Sequence, residues 1–289
     1  MSRDLVQDAL RRELLETFGD PEFRPPPLPS VALELFALTR RHDAKVEDVV
    51  ALLEKDAMLA GDVMRLVSSP VYTRRSPVKS LTQAVVRLGL RTLRDIVFEA
   101  VLGRGVFNLP DYRETVEQVR RHSTVVAYVA RIIAEHARVA GDDAFLCGLF
   151  HDIGFAALLY AVGTKDTKQV PRLVDLWADF DRAHERAGAL VVGLWHLPAN
   201  IAEVVGHHHH LFTGDEATTA AAVCLADDLS GRFGASVIGP QAATGELLIG
   251  DAADPIALET SRALLGVDER MLAAILADAD EIVPNILWV

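Results

Sequence analysis

Apolar residues recur along most of this chain at intervals of three and four, the spacing of helices that bury one face. Leu5, Leu10, Leu14 and Leu15 mark a helix over residues 3–18 that stops at Gly19. Arg24-Pro25-Pro26-Pro27-Leu28-Pro29 cannot be helical, because proline lacks an amide hydrogen and its ring clashes with the preceding turn. Ser30 is placed to cap a helix bearing Val31, Leu35 and Leu38. Two short helices are predicted over Val46–Glu54 and Ala57–Ser68, with Asp56 capping the second. Ser69-Pro70 and Ser76-Pro77 bound a loop that holds Arg74 and Arg75.

Ser80 starts a helix that stops at Gly89, and Thr92 starts another. The stretch Ser80–Val97 has the outline of a helix-turn-helix whose Arg87, Arg91 and Arg94 could meet phosphate. A pair of core helices with solvated arginines is the preferred reading, since helix pairs joined by a short turn are common in all-helical proteins and the acidic total opposes DNA. Gly103–Pro110 breaks the pattern and marks a subdomain boundary. Longer helices follow around 112–138, 143–162 and 170–195, then shorter ones around 199–209 and 216–231, and two amphipathic candidates beyond Asp254. Alternation of useful length is missing, so the fold class is all-α. It divides into a helical subdomain over residues 1–110, a second over 111–231 and a helical C-terminal extension over 232–289.

Composition narrows the function classes. With 50% apolar and 24% charged residues the chain has the balance of a globular protein. A formal charge of −12 opposes broad binding to a phosphate backbone, so DNA is a disfavoured partner. The two cysteines, Cys147 and Cys224, have no zinc-like spacing and suit a reducing cytoplasm. Residues 1–20 alternate charged and apolar positions at helical period, unlike a signal peptide. The apolar runs look short of the roughly 18 residues of a membrane span, so no membrane partner is expected.

The chemistry-bearing residues lie in the helical middle. His151 and Asp152 end an apolar stretch, where ionisable groups are costly unless paired or bound to metal. His122 stands near the start of the preceding long helix, and the interval suits a helix, a turn at Gly141-Asp142 and a return helix. In helical proteins metal ligands come from facing helices, far apart in sequence. His184, the run His207-His208-His209-His210 and Asp227, inside Ala221-Ala222-Val223-Cys224-Leu225-Ala226-Asp227, extend the set. Imidazole with carboxylate suits zinc, iron, nickel or manganese better than calcium or magnesium. His42, His136 and His196 read as ordinary surface or core histidines. The histidine run could also be a solvated helix end, favoured there by the helix dipole. Spacing alone leaves the metal open.

From about residue 22 to about 230 the chain resembles the HDOD domain, a bacterial output domain related to the HD phosphohydrolases. The resemblance is carried by Leu28-Pro29-Ser30-Val31-Ala32, by Asp56, Leu59, Val63 and Leu66, and by Ser80-Leu81, Gln83-Ala84-Val85 and Leu88-Gly89. It continues through Gly148-Leu149-Phe150-His151-Asp152-Ile153-Gly154, His184-Glu185-Arg186-Ala187-Gly188-Ala189, Trp195, Leu197-Pro198 and the histidine run. It implies one or two divalent transition metals (Fe, Mn, Zn or Ni) held by His122, His151, Asp152, His184, His208, His209 and Asp227. His207 is the alternative to His209, and Asp228 the alternative to Asp227.

The family is commonly described as having lost these ligands, so their presence here is a departure. Against turnover, Phe155 stands where HD-GYP phosphodiesterases keep a lysine, and Leu211-Phe212-Thr213-Gly214-Asp215 replaces their Gly-Tyr-Pro signature. Arg120, Arg121 and Lys165 are the cations within sequence reach. No catalytic residue is assigned. The resemblance implies a cytoplasmic bacterial signal-transduction module that binds other signalling proteins. The alternative is a metal-dependent phosphohydrolase acting on a nucleotide or cyclic dinucleotide. A DNA-binding regulator working through residues 80–97 is the third reading.

Overall fold

The structure, a computed structural model, describes residues 23–73, 77–139, 143–163, 173–210, 213–235 and 254–286. The expected helix over 3–18, the Arg74–Arg75 loop tip, the turn at Gly141-Asp142 and Lys165 lie outside these residues. Helices account for the regular structure, and no strand occurs among the described residues. The fold is all-α. The chain forms two compact units, one built from Pro27–Val106 with the segment from Leu276, the other containing Phe107–Ile275.

In the first unit, α1 (Ser30–Thr39), α2 (Val46–Leu53) and α3 (Ala57–Val67) gather around α4 (Leu81–Gly103). Their buried faces carry Leu35 and Phe36, Val49 and Leu53, Leu59 and Val63, and Leu93 and Phe98. Asp56 caps α3 as expected, its carboxylate accepting from the Leu59 amide at 2.9 Å. Ser30 does not cap α1. It is already the first helical residue, Pro29 holds the cap position, and no side chain closes that end. Ser80 does cap α4, accepting from the Gln83 amide at 3.2 Å.

Gly89, at φ 79° and ψ 166°, breaks α4 into two segments that follow one another without a linker. A left-handed φ of this kind is cheap only for glycine. Beyond the break Arg94 is buried and donates to Asp95 at 2.8 Å, its guanidinium 5.2 Å above the Phe36 ring. An arginine so enclosed cannot meet a phosphate backbone, which removes one of the three cations on which the helix-turn-helix outline rested.

The second unit contains α5 (Arg113–Ala137), α6 (Ala144–Phe150), α7 (Ile153–Gly163), α8 (Leu173–Leu194), α9 (Ala199–Val205), α10 (Ala217–Ser230) and α11 (Pro255–Leu265). Helix α12 spans Glu269–Ile282. α5 packs on α6 and α10, α7 on α8, α8 on α9, and α10 on α11. The helix expected over 143–162 is two helices, divided at His151-Asp152. That same stretch, Ala144–Val162, is apolar and long enough by composition to cross a membrane, contrary to the sequence expectation. Here 94% of it is buried inside the protein.

Glycines set how closely these helices approach. A Cβ on Gly148 would lie 2.8 Å from the Ala127 Cα on α5, and one on Gly154 only 1.9 Å from the His184 carbonyl oxygen on α8. Backbone therefore touches backbone at both crossings. This draws the His151-Asp152 break against α5 on one side and α8 on the other.

Candidate metal centre

Five segments deliver side chains to one buried point. His122 projects from the middle of α5, His151 and Asp152 from the break between α6 and α7, and His184 from α8. His208 and His209 come from the turn after α9, and Asp227 from α10. Of these seven residues only His209 is more than slightly exposed, its side chain at 19%. All seven positions carried over from the resemblance thus converge. The run after α9 is also resolved: His207 hydrogen-bonds the Glu203 carbonyl at 2.9 Å and lies in neither donor group, whereas His208 and His209 face inward. Asp227 is buried and Asp228 is exposed.

The donors form two groups that share a residue. His122, His151 and Asp152 make one; Asp152, His184, His208 and His209 make the other. Within each group the ligand-type atoms all lie within 4.8 Å of one another. Asp227 joins the first group, its Oδ1 3.2 Å from His122 Nε2, and reaches toward the second with Oδ2 3.8 Å from His209 Nδ1. Asp152 uses both oxygens: Oδ2 is 3.4 Å from the Nε2 atoms of His122 and His151, and Oδ1 is 3.5 Å from that of His208.

The far nitrogens of four rings are tied to backbone carbonyls. Nδ1 of His122 meets Ala235 O at 2.7 Å, that of His151 meets Gly148 O at 2.7 Å and that of His208 meets Val205 O at 2.9 Å. His184 Nδ1 meets Asp181 O. A carbonyl only accepts, so each Nδ1 carries the proton and each Nε2 offers a lone pair to the centre. The Nε2 atoms of His122 and His151 then stand 3.0 Å apart, and those of His184 and His208 3.3 Å apart. Two lone pairs at such distances repel unless a proton or a metal ion lies between them. Asp152 Oδ1 and Asp227 Oδ1 are buried with no hydrogen-bond donor aligned on either. A buried carboxylate oxygen in that state is costly without a positive partner. The donor set fits a divalent transition metal on both counts.

The buried carboxylates draw positive charge to this point. Burial raises the Asp152 carboxyl, but the charge and hydrogen bond of His151, with His208 and His122, outweigh it and hold the group well below the usual carboxylate range. Burial likewise disfavours charge on His122, yet contact with Asp227 and the charge of Asp152 raise its pKa. Burial, with His208 beside it, pushes His209 down to about 3, so this ring is a neutral donor at physiological pH.

The sequence pattern left three supports of the site unidentified. Glu185 accepts from the His209 amide at 3.0 Å and pairs with His210 at 3.1 Å, pinning the histidine turn to α8. Gly188 lies under Val205, whose Cγ1 would be 2.7 Å from an added Cβ. Phe155 stacks on His184, with ring centroids 4.4 Å apart and planes at 11°. The available signal was the spacing on α8, where Trp177, His184 and Gly188 share a face. Of the cations expected nearby, Arg120 is committed to Glu117 through contacts of 2.9 and 2.6 Å.

Comparison with known proteins places this arrangement. The chain aligns at 22% identity with an HDOD domain protein of unknown function from Geobacter sulfurreducens, covering 96% of each chain with a TM-score of 0.68. A protein from Shewanella amazonensis SB2B, provisionally named a metal-dependent phosphohydrolase, aligns at 21% identity over 99% of this chain and 100% of that one, with a TM-score of 0.71. At these identities the likeness shows the fold. An uncharacterized protein of Treponema pallidum (strain Nichols) is 27% identical over 195 residues, which are 64% of this chain and 38% of that protein's length. The model of the HDOD domain matches residues 26–211, well over half of the sequence. The chain belongs to the HDOD domain family.

Proposed function

We propose that this HDOD domain is a bacterial, cytoplasmic regulatory module that holds two divalent transition metals and presents its helical surface to other signalling proteins. The observation that carries the reading is the shared carboxylate. Asp152 turns one oxygen toward His122 and His151 and the other toward His208. His122, His151, Asp152 and Asp227 would hold one ion, and Asp152, His184, His208 and His209 the other. Metal at this point joins α5, the α6–α7 break, α8, the turn after α9 and α10, and neutralises two buried carboxylates. Such a centre stabilises the second unit whether or not it performs chemistry.

A second reading, a phosphohydrolase acting on a nucleotide or cyclic dinucleotide, is favoured by the same carboxylate shared between the two donor groups. Paired metals supply an activated water and a clamp on the reacting phosphate. The ring of Phe155, buried against His184, and the engagement of Arg120 by Glu117 weigh against it, because a phosphoryl group needs cationic partners.

Elemental analysis of the purified chain decides the metal, with two equivalents expected for the native protein and loss of both in Asp152→Ala. A metal-free native protein whose His151→Ala variant melts unchanged would sink both readings. Manganese- or iron-dependent hydrolysis of a phosphodiester, abolished in a folded Asp152→Ala protein, would replace the first reading by the second.

A further inference from the structure

We propose that Phe155 is a positioning residue for the second donor group, acting through the ring of His184; the proposal rests on the two-metal reading. Three rings lie in parallel here. Trp177 and Phe155 are 5.2 Å apart with planes at 9°, and Phe155 and His184 are 4.4 Å apart at 11°. Phe155 stands on α7 and the other two on α8. An ordinary core phenylalanine is satisfied by any apolar neighbours at any tilt. Parallel stacking of all three rings is a narrower condition, and it bears on metal binding for a simple reason.

An imidazole nitrogen offers its lone pair in the plane of the ring. Whatever fixes that plane fixes the direction in which Nε2 binds. His184 Nδ1 is anchored at Asp181 O, which still permits the ring to tilt about the line joining the two atoms. The Phe155 face removes that tilt. His208 and His209 meet His184 steeply, with centroids at 5.2 and 5.1 Å and planes at 63° and 75°. Nε2 is thereby left aimed at His208 Nε2, 3.3 Å away, and at Asp152 Oδ1, 3.7 Å away. The first group is held differently. His122 and His151 contact each other at a 58° tilt, and their ring planes follow from the carbonyls of Ala235 and Gly148. The stack therefore serves one sub-site and not the other.

The test is a cobalt(II) titration of the chelator-stripped full chain, comparing native protein with Phe155→Leu, Phe155→Tyr and Trp177→Leu. Loss of an outer partner of a ligating histidine typically weakens metal binding about 10–100-fold. Phe155→Leu is expected to weaken the second ion by that factor and leave the first unchanged, while Phe155→Tyr behaves as native. A metal-free readout accompanies it. Residual dipolar couplings of the His184 ring C–H bonds are expected to fit one fixed ring plane in native protein and to be averaged in Phe155→Leu. Unchanged second-ion affinity with an unchanged His184 ring plane overturns the proposal, as does equal weakening of both ions. If Phe155→Leu fails to fold, Trp177→Leu is read in the same way. If native protein takes up no second ion, the two-metal reading falls separately, and the His184 ring plane alone upholds or overturns the positioning role.

Discussion

Gly154→Ala adds one methyl group at the closest approach of two helices. Its Cβ would lie 1.9 Å from the His184 carbonyl oxygen, 2.6 Å from the carbonyl carbon and 2.8 Å from the Gly188 amide nitrogen. All three are backbone atoms of α8, so no side chain can rotate aside. To recover the 3.0 Å that real Cβ atoms keep, α7 and α8 must part by roughly 1 Å. Alanine is favoured over glycine inside a helix by about 1 kcal/mol. Overpacking costs about 1–3 kcal/mol and occasionally more, and this contact has no soft partner to absorb it. At the upper end of that range the expected net loss is about 2 kcal/mol, a fall of about 4–8 °C in Tm for a chain of this size. Urea and thermal unfolding measure it. Gly193→Ala is the control, since Gly193 lies on the partner helix α8, exposed, with nothing within 4 Å of its added Cβ. That variant should match or slightly exceed native stability. If Gly154→Ala melts with Gly193→Ala, the backbone contact is not what sets the helix spacing.

Three further outcomes are expected. Stripping metal with a chelator should lower Tm by about 5–10 °C, because an ion present at about 100 times its Kd adds about 2.7 kcal/mol; an unchanged melt counts against the metal centre. Burial raises the Cys224 thiol to about 11 from 9.0, with the Ser261 hydrogen bond opposing it. The thiol's contribution to stability is complete below pH 9.0 and lost as pH rises through about 11, so Cys224→Ala should flatten the stability profile across that window. Asp56→Ala removes the cap of α3 and one carboxylate partner of Arg104, 3.4 Å away. A loss of about 1 kcal/mol is expected in urea unfolding, and a loss below about 0.3 kcal/mol would deny the cap any role.

Much of the helical content was readable from periodicity, since burying one face of a helix imposes a spacing that no other element shares. The cap at Asp56 and the break at Gly103–Pro110 were readable for equally local reasons. Prediction failed where tertiary contact overrode local pattern. A single helix over 143–162 was the natural reading of an unbroken apolar run, yet the chain divides at His151-Asp152. There Asp152 meets His122 of α5 and His184 of α8, and His151 meets His122 and, at 4.0 Å, Asp227 of α10.

The seven donors could be named from order and residue type, because histidine and aspartate in an apolar setting are conspicuous wherever they occur. Their grouping could not. Which histidine of the run turns inward follows from the Glu185 clamp on the His209 amide, and Asp227 rather than Asp228 faces the centre because of how α10 rests on α5. The carbonyls that fix four ring tautomers, and the Phe155 stack that fixes one ring plane, depend on atoms brought together by folding. Sequence pattern registers what each segment must bury. The direction of a lone pair depends on how closely backbones cross, and here that distance is set by the missing side chains of Gly148, Gly154 and Gly188.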